Sequence, residues 1–391
     1  MLPRDRSTRP SLRAAAAIGV VATLAACTTN SPSAESGDAG ALTVSSTADA
    51  CEVSATQAPS GPISFSVTNN GDEVTEFYLL AEDKLRILGE VENIGPGLTR
   101  DLVVVAQPGS YYTACKPGMT GDGIQAAFTV TDSGTDLTPN ADDAALVAQA
   151  NTQYAAYVKN ETEQLVTATD EFVAAYLAGD AATARDLYPH ARVHWERIET
   201  VAESFGDLDP SMDAREADLE PGQTWTGWHV LEKDLWPPAT GYTPLTPEQG
   251  KAITDQLVAD TATLYDRTRD MTFTADQIAN GSKGLLDEVA TGKVTGEEEI
   301  WSHTDLWDFQ ANVDGARVGW EGLQPLLQTR NPELDRELAT RFADLQALLD
   351  QHKQGDGFVG YDTLTTDQVK ALSDAVNALS EPLSQLTAAV I

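Results

Sequence analysis

Of the five histidines in the chain, His229 has the surroundings best suited to metal chemistry. It lies in Gly-Trp-His-Val-Leu-Glu, residues 227–232. On a helix His229 and Glu232 are i, i+3 neighbours on one face, bordering an apolar stripe of Trp228, Leu231 and Leu235. The pair is thereby drawn toward an interior, where an unpaired charge is costly and a metal ion compensates it. A buried histidine simply hydrogen-bonded to its neighbour fits the same spacing. Hydrolytic readings fare worse. There is no His-Glu-x-x-His, Lys233 stands where His-x-x-Glu-His needs its second histidine, and no Gly-x-Ser-x-Gly elbow occurs.

Two further stretches are rich in oxygen donors. In PHARVHWERIETVAESFGDLDPSMDARE (189–216), periodicity puts Glu196, Glu199 and Glu203 on one helix face, opposite Ile198, Val201 and Phe205. That pattern alone reads as a solvated acidic face. Asp207, Asp209 and Asp213 crowd the following loop, and carboxylates at this density suit ferric iron, calcium or manganese better than copper(I). In GEEEIWSHTDLWDFQANVDG (296–315), Asp305, Asp308 and Asn312 are expected to share a helix face with Trp301.

The first third of the chain offers different donors: Cys51, Glu52, Glu76, Glu90, Glu92, Cys115 and Met119. Residues 42–131 hold no histidine, so a His₂Cys blue-copper centre cannot be built there. Cys51 and Cys115 are open to two readings, a disulfide, which an exported protein favours, or a pair of thiolate ligands for a soft metal.

The elements that must position these residues change in texture along the chain. Residues 42–131 alternate as short strands, as in ISFSVTN (63–69) and VTEFYLL (74–80), broken by NNGD, IGPG and QPGS turns. About seven strands and a β-sandwich are expected. A polar linker follows over 132–143, and 144–391 reads as an all-α bundle without strand-like alternation. Thr246–Gln249, Thr274–Gln277 and Thr295–Glu298 resemble capping boxes, and Asn331-Pro332 an N-cap followed by proline at the first helical position.

The N-terminus carries a targeting signal. Arg4, Arg6, Arg9 and Arg13 precede an apolar run, Ala14–Ala26, too short to span a membrane, which ends in the lipobox-like Leu24-Ala25-Ala26-Cys27. Residues 1–26 read as a lipoprotein signal peptide, Cys27 as the lipidated residue and 27–41 as a flexible tether. The net charge of −35 repels nucleic acid and attracts cations. With 41% hydrophobic residues, the acidity does not preclude folded cores. An exported, lipid-anchored cation binder is the leading class, an envelope scaffold the bland alternative.

The phrases YPHARVHWERIETVAESFGDLDPSMDARE, GWHVLEKDLW and GEEEIWSHTDLWDFQANVDG resemble the imelysin-like helical domain of the EfeO family of iron-uptake proteins. VTEFYLL, GEVENIGPGLTRDL and QPGSYYTACKPGM resemble the cupredoxin-like domain that precedes it in the long form of that family. The resemblance implies a two-domain fold and an extracytoplasmic protein. It also implies iron binding in the helical domain, and copper or iron in the cupredoxin-like one. The implied partners are a membrane iron permease and a haem-containing, peroxidase-like protein. Carried over by motif, the helical ligands are Glu196, Asp213, His229 and Glu232, with Cys51, Glu76 and Cys115 in the cupredoxin-like domain. Imelysin relatives were once classed as metallopeptidases, which keeps that activity as the alternative. A ligand role for Glu196 conflicts with a solvated face unless that face lines a cleft between helices.

Overall fold

The computed structural model describes residues 40–82, 84, 87–119, 123–134, 141–219 and 222–391. The stretch read as a signal peptide (1–26), Cys27, nearly all of the stretch read as a tether (27–41) and the side chain of Glu203 lie outside them.

Residues 42–131 form nine strands: β1 (Leu42–Ser46), β2 (Cys51–Val53), β3 (Gln57–Pro59), β4 (Gly61–Asn69), β5 (Thr75–Leu80), β6 (Ile87–Ile94), β7 (Thr99–Ala106), β8 (Gly109–Cys115) and β9 (Ile124–Thr131). They make two sheets in the orders β2-β1-β4-β7 and β3-β9-β8-β5-β6. Strands β2 and β3 span three residues each, too few to show alternation, which is why about seven strands were legible. Alternation on β4, buried at Ile63, Phe65 and Val67, turns one face inward. Phe65 meets Phe77 and Phe128 of the opposite sheet at ring-centroid distances of 5.0 and 5.7 Å. Cys51 and Cys115 join the sheets as a disulfide, with Cα atoms 5.4 Å apart.

The helices are α1 (Ala141–Leu177), α2 (Ala181–Glu196), α3 (Leu208–Met212), α4 (Trp228–Leu235), α5 (Pro247–Thr268), α6 (Ala275–Thr291), α7 (Asp305–Arg330), α8 (Pro332–Leu349), α9 (Thr366–Leu383) and α10 (Leu386–Val390). Helix α1 thus begins inside the stretch read as linker. One two-stranded ribbon, Lys353–Gln354 with Gly357–Phe358, interrupts the helices; two residues per strand leave no periodic trace. The caps at Thr246 and Asn331 form as their sequences indicate, and Gln277 accepts the Thr274 N–H at 3.0 Å. The third box does not form: Thr295 closes a 3-10 turn (Lys293–Thr295), Gly296 is left-handed, and no helix begins before Asp305.

Strands and helices between Gly40 and Ile391 make one compact unit. Helix α6 packs on β6 and β7, the edge strands of the two sheets. Asp276 Oδ2 accepts the Val105 N–H at 3.2 Å, and Asn280 Nδ2 donates to Val103 O at 2.9 Å, so unpaired edge groups of β7 are satisfied by helix side chains. Farther along α6, a Cβ on Gly281 would lie 1.9 Å from Thr200 O, so glycine lets the 199–205 segment lie directly on the helix. The C-terminal end of α6 runs into Lys293, at the edge of the acidic cluster.

Candidate metal centre

The cluster is assembled from four pieces of chain. Helix α2, packed on α1, supplies Arg192, Trp195 and Glu196 from its buried positions. The end of α3 supplies Asp213, α4 supplies His229 and Glu232, and the loop before α7 supplies Glu298 and Glu299. Trp228 anchors α4, its ring packed 5.4 Å from Phe172 and 6.0 Å from Tyr188. With Trp228 held inward, His229 and Glu232 are carried into the interior, at 1% and 0% exposure.

Both nitrogens of His229 face carboxylates. Nδ1 lies 3.2 Å from Glu232 Oε2; Nε2 lies 3.4 Å from Asp213 Oδ1 and 3.8 Å from Glu298 Oε1. Two sets of candidate ligands follow: Asp213, His229 and Glu298, and His229, Glu232 and Glu299. In each, one donor atom per residue lies within 4.8 Å of the others. Buried Nε2 makes no hydrogen bond. The donors are themselves braced. Glu232 Oε1 accepts the N–H groups of Trp301 at 3.0 Å and Ser302 at 2.7 Å. Trp195 Nε1 donates to Asp213 Oδ2 at 2.7 Å, and Ser302 Oγ to Glu299 Oε2 at 2.9 Å.

Protonation follows from burial and from which charges each group faces. Burial and the Arg192 charge favour a neutral His229 ring, but Asp213, Glu232 and Glu298 outweigh them and raise its pKa well above the ordinary value. Burial works against ionisation of Asp213, yet Arg192 and His229 hold it well below the usual carboxylate range. Lys293 and His229 likewise overcome burial and bring Glu298 down to about 2. Glu299 goes the other way, raised by burial and by the Glu232 charge despite Arg192. Burial also lifts Asp305 to about 6.

Of the residues anticipated as helical ligands, Asp213 and Glu232 both lie beside His229, but at opposite ring nitrogens and in different ligand sets. Glu196 is buried, so the expectation of a solvated face is wrong: α2 ends at Glu196, and the 3-10 turn that follows packs against α6 and α7. Yet Glu196 belongs to neither ligand set. It is engaged by Arg192, by Lys293 at 2.7 Å and by Asn312 Nδ2 at 2.9 Å. Asp207 is exposed and pairs with Arg267. Asp305, Asp308 and Asn312 are buried on α7, whereas Trp301 precedes that helix and does not share its face. Glu298 and Glu299 were passed over because Thr295–Glu298 reads as a helix cap; three consecutive glutamates before two tryptophans were the available signal.

In the β-sandwich the disulfide removes Cys51 and Cys115 as thiolate ligands, correcting that assignment. Glu76 is buried beside Tyr78, with Lys116 Nζ 3.8 Å away. Burial raises its pKa against the pull of Lys116. Glu52 points to solvent and Met119 is 37% exposed. With both sulfurs bonded to each other and only carboxylates, a phenol and an exposed thioether remaining, the sandwich does not fit a soft copper centre.

The Imelysin family matches residues 150–386 and the cupredoxin-like domain matches residues 16–130. A protein of Escherichia coli O1:K1, "Iron uptake system component EfeO", is 37% identical over 356 residues, 90% of this chain and 92% of its own length. Proteins of the same description from E. coli K12 and Shigella flexneri are 36% identical over the same shares. With a cupredoxin-like sandwich, an imelysin-type helical region and relatives aligned over nearly their whole length, the chain belongs to the EfeO family.

Proposed function

We propose that this protein is the extracytoplasmic iron-binding component of an uptake system, holding iron at His229 and the surrounding carboxylates and passing it to a membrane permease. The observation that carries the reading is His229 itself: a sealed imidazole, flanked at both nitrogens by carboxylates within 4 Å, with Nε2 free of any hydrogen bond. One nitrogen among several carboxylate oxygens is a hard donor set that suits ferric iron or manganese. The relatives' description as iron-uptake components supports the same cargo. In this reading residues 1–26 direct export, Cys27 carries the lipid anchor outside the cytoplasmic membrane, and 27–41 form the tether. The sandwich (42–131) and the helical body that begins with α1 then form the working part, served by a permease and a haem peroxidase-like partner. Metal analysis and calorimetric titration of the mature protein with iron and manganese test the assignment. One tight equivalent depending on His229 is expected. Peptide cleavage abolished by a chelator would move the site to a metallopeptidase.

Loading is expected to release protons. The His229 ring and the Glu299 carboxyl both favour the protonated form where they stand, and a cation bound to them must displace those protons. Both displacements have the same sign, so affinity rises as pH rises toward the raised pKa of the ring. Titration with Mn²⁺ in buffers of different ionisation enthalpy measures the protons released. A pH-independent affinity with none released counts against His229 and Glu299 as ligands.

A further inference from the structure

We propose that Arg192 and Lys293 are resident counter-cations: their charges rest on the carboxylates that an incoming metal takes, making capture an exchange of positive charge and keeping release easy. The inference rests on reading the cluster as an iron-capture site. Both side chains are sealed, at 0% and 1% exposure. The Arg192 guanidinium pairs with Glu196 and Asp213, and lies 2.6 Å from Glu299, 3.4 Å from Glu298 and 3.6 Å from Asp308. Lys293 Nζ lies 2.7 Å from Glu196, 2.6 Å from Glu199 and 3.7 Å from Glu298. Asp213, Glu298 and Glu299, three of the candidate ligands, therefore already face Arg192.

Carboxylates buried at this density need cations beside them, and an uncompensated charge left behind is strongly destabilising. The guanidinium donates through Nη1 to Asp213 and through Nη2 to Glu196 and Glu298, while its Nε–H bonds to nothing although Glu299 Oε1 is 2.6 Å away. A metal ion brings equal or greater charge to the same oxygens. Glu196, Glu199 and Asp308 stand outside both ligand sets and retain the displaced cations, which gives Glu196 a role other than ligation. A merely structural ion network behaves differently: removing one cation loosens the ligands and weakens metal binding.

The test compares wild type with Lys293→Gln, using Mn²⁺ alone as the redox-stable probe. Calorimetry reads affinity, and stopped-flow release into excess EDTA reads the off-rate. Lys293→Gln is expected to bind Mn²⁺ at least about tenfold more tightly, about 1.4 kcal/mol, and to release it more slowly. Its chelator-treated form should melt at a lower temperature than wild type. Lys370→Gln, which removes an equal charge from an exposed pair with Asp374, is expected to leave affinity unchanged. Equal or weaker Mn²⁺ binding by a natively folded Lys293→Gln overturns the exchange. If the variant folds only with Mn²⁺ added, the cation is replacing the missing amine and the proposal stands. A variant that stays unfolded with excess Mn²⁺ counts against it. Wild type that binds no Mn²⁺ overturns the capture reading itself, whereas wild type that binds, with Lys293→Gln no tighter, overturns the exchange alone.

Discussion

His229→Ala is expected to weaken metal binding by at least about a hundredfold, because even substitutions behind a ligand cost about ten- to a hundredfold. The substitution removes the nitrogen donor common to both candidate ligand sets. It also removes positive charge from among Asp213, Glu232 and Glu298, so the chelator-treated variant should be less stable by about 3 kcal/mol near pH 6, the cost of breaking a buried ion pair. The sign with pH is set by the raised pKa of the ring. Stability contributed by a group of this kind is fully present below its unfolded pKa and is lost as pH rises through the folded one. The gap between wild type and variant should therefore narrow as pH rises above the ordinary histidine value of about 6.5 toward the raised one. Thermal melts across pH, with and without Mn²⁺, check both statements. His229→Gln separates them, since it keeps a polar side chain but no imidazole. If it bound Mn²⁺ as tightly as wild type, the ring would not be a ligand.

The second large effect is expected at Gly227, where Ala should destabilise the protein by more than about 3 kcal/mol and abolish tight metal binding with it. Gly227 precedes α4 with φ +88° and ψ −159°, a region essentially restricted to glycine that costs other residues about 1–3 kcal/mol. More important is the space. A Cβ there would stand 2.0 Å from Met212 O and 2.4 Å from Met212 C, the residue immediately before Asp213. Separating the two backbones moves Asp213 from His229, whose nearest atoms are now 3.4 Å apart. Gly222→Ala is the internal comparison: φ is +91°, but nothing lies within 4 Å of the added carbon. Denaturant melts should show a small loss for Gly222→Ala and a large one for Gly227→Ala. Equal losses would assign the effect to backbone conformation and not to the close contact.

Only one of these two effects is legible in the sequence. His229 is marked by its spacing from Glu232 and by the neighbouring apolar stripe, and the structure carries both side chains inward as that stripe requires. Nothing in the linear chain says that Gly227 lies against Met212, since that contact joins the end of α3 to the start of α4 through space. Glu298 and Glu299 show a third situation. Local reading assigns Thr295–Glu298 to a helix start, which competes with the irregular turn that folds there. A glutamate engaged in capping is not sought as a ligand, so the error in secondary structure became an error in the site.

The residues alone determined the succession of strands and helices, the want of histidine in the sandwich and the hard character of the donors, because period, composition and donor type are properties of the chain taken in order. They left the state of Cys51 and Cys115 open, and placed Glu196 wrongly on a solvated face. Tertiary structure decided both. Two sheets packed face to face bring cysteines 64 positions apart to a Cα separation of 5.4 Å. Burial of the turn after α2 between α6 and α7 carries an acidic face inward, where it meets Lys293. Charge is readable from sequence, but the cation that answers each charge is a matter of distance, and distance is set only when the helices pack.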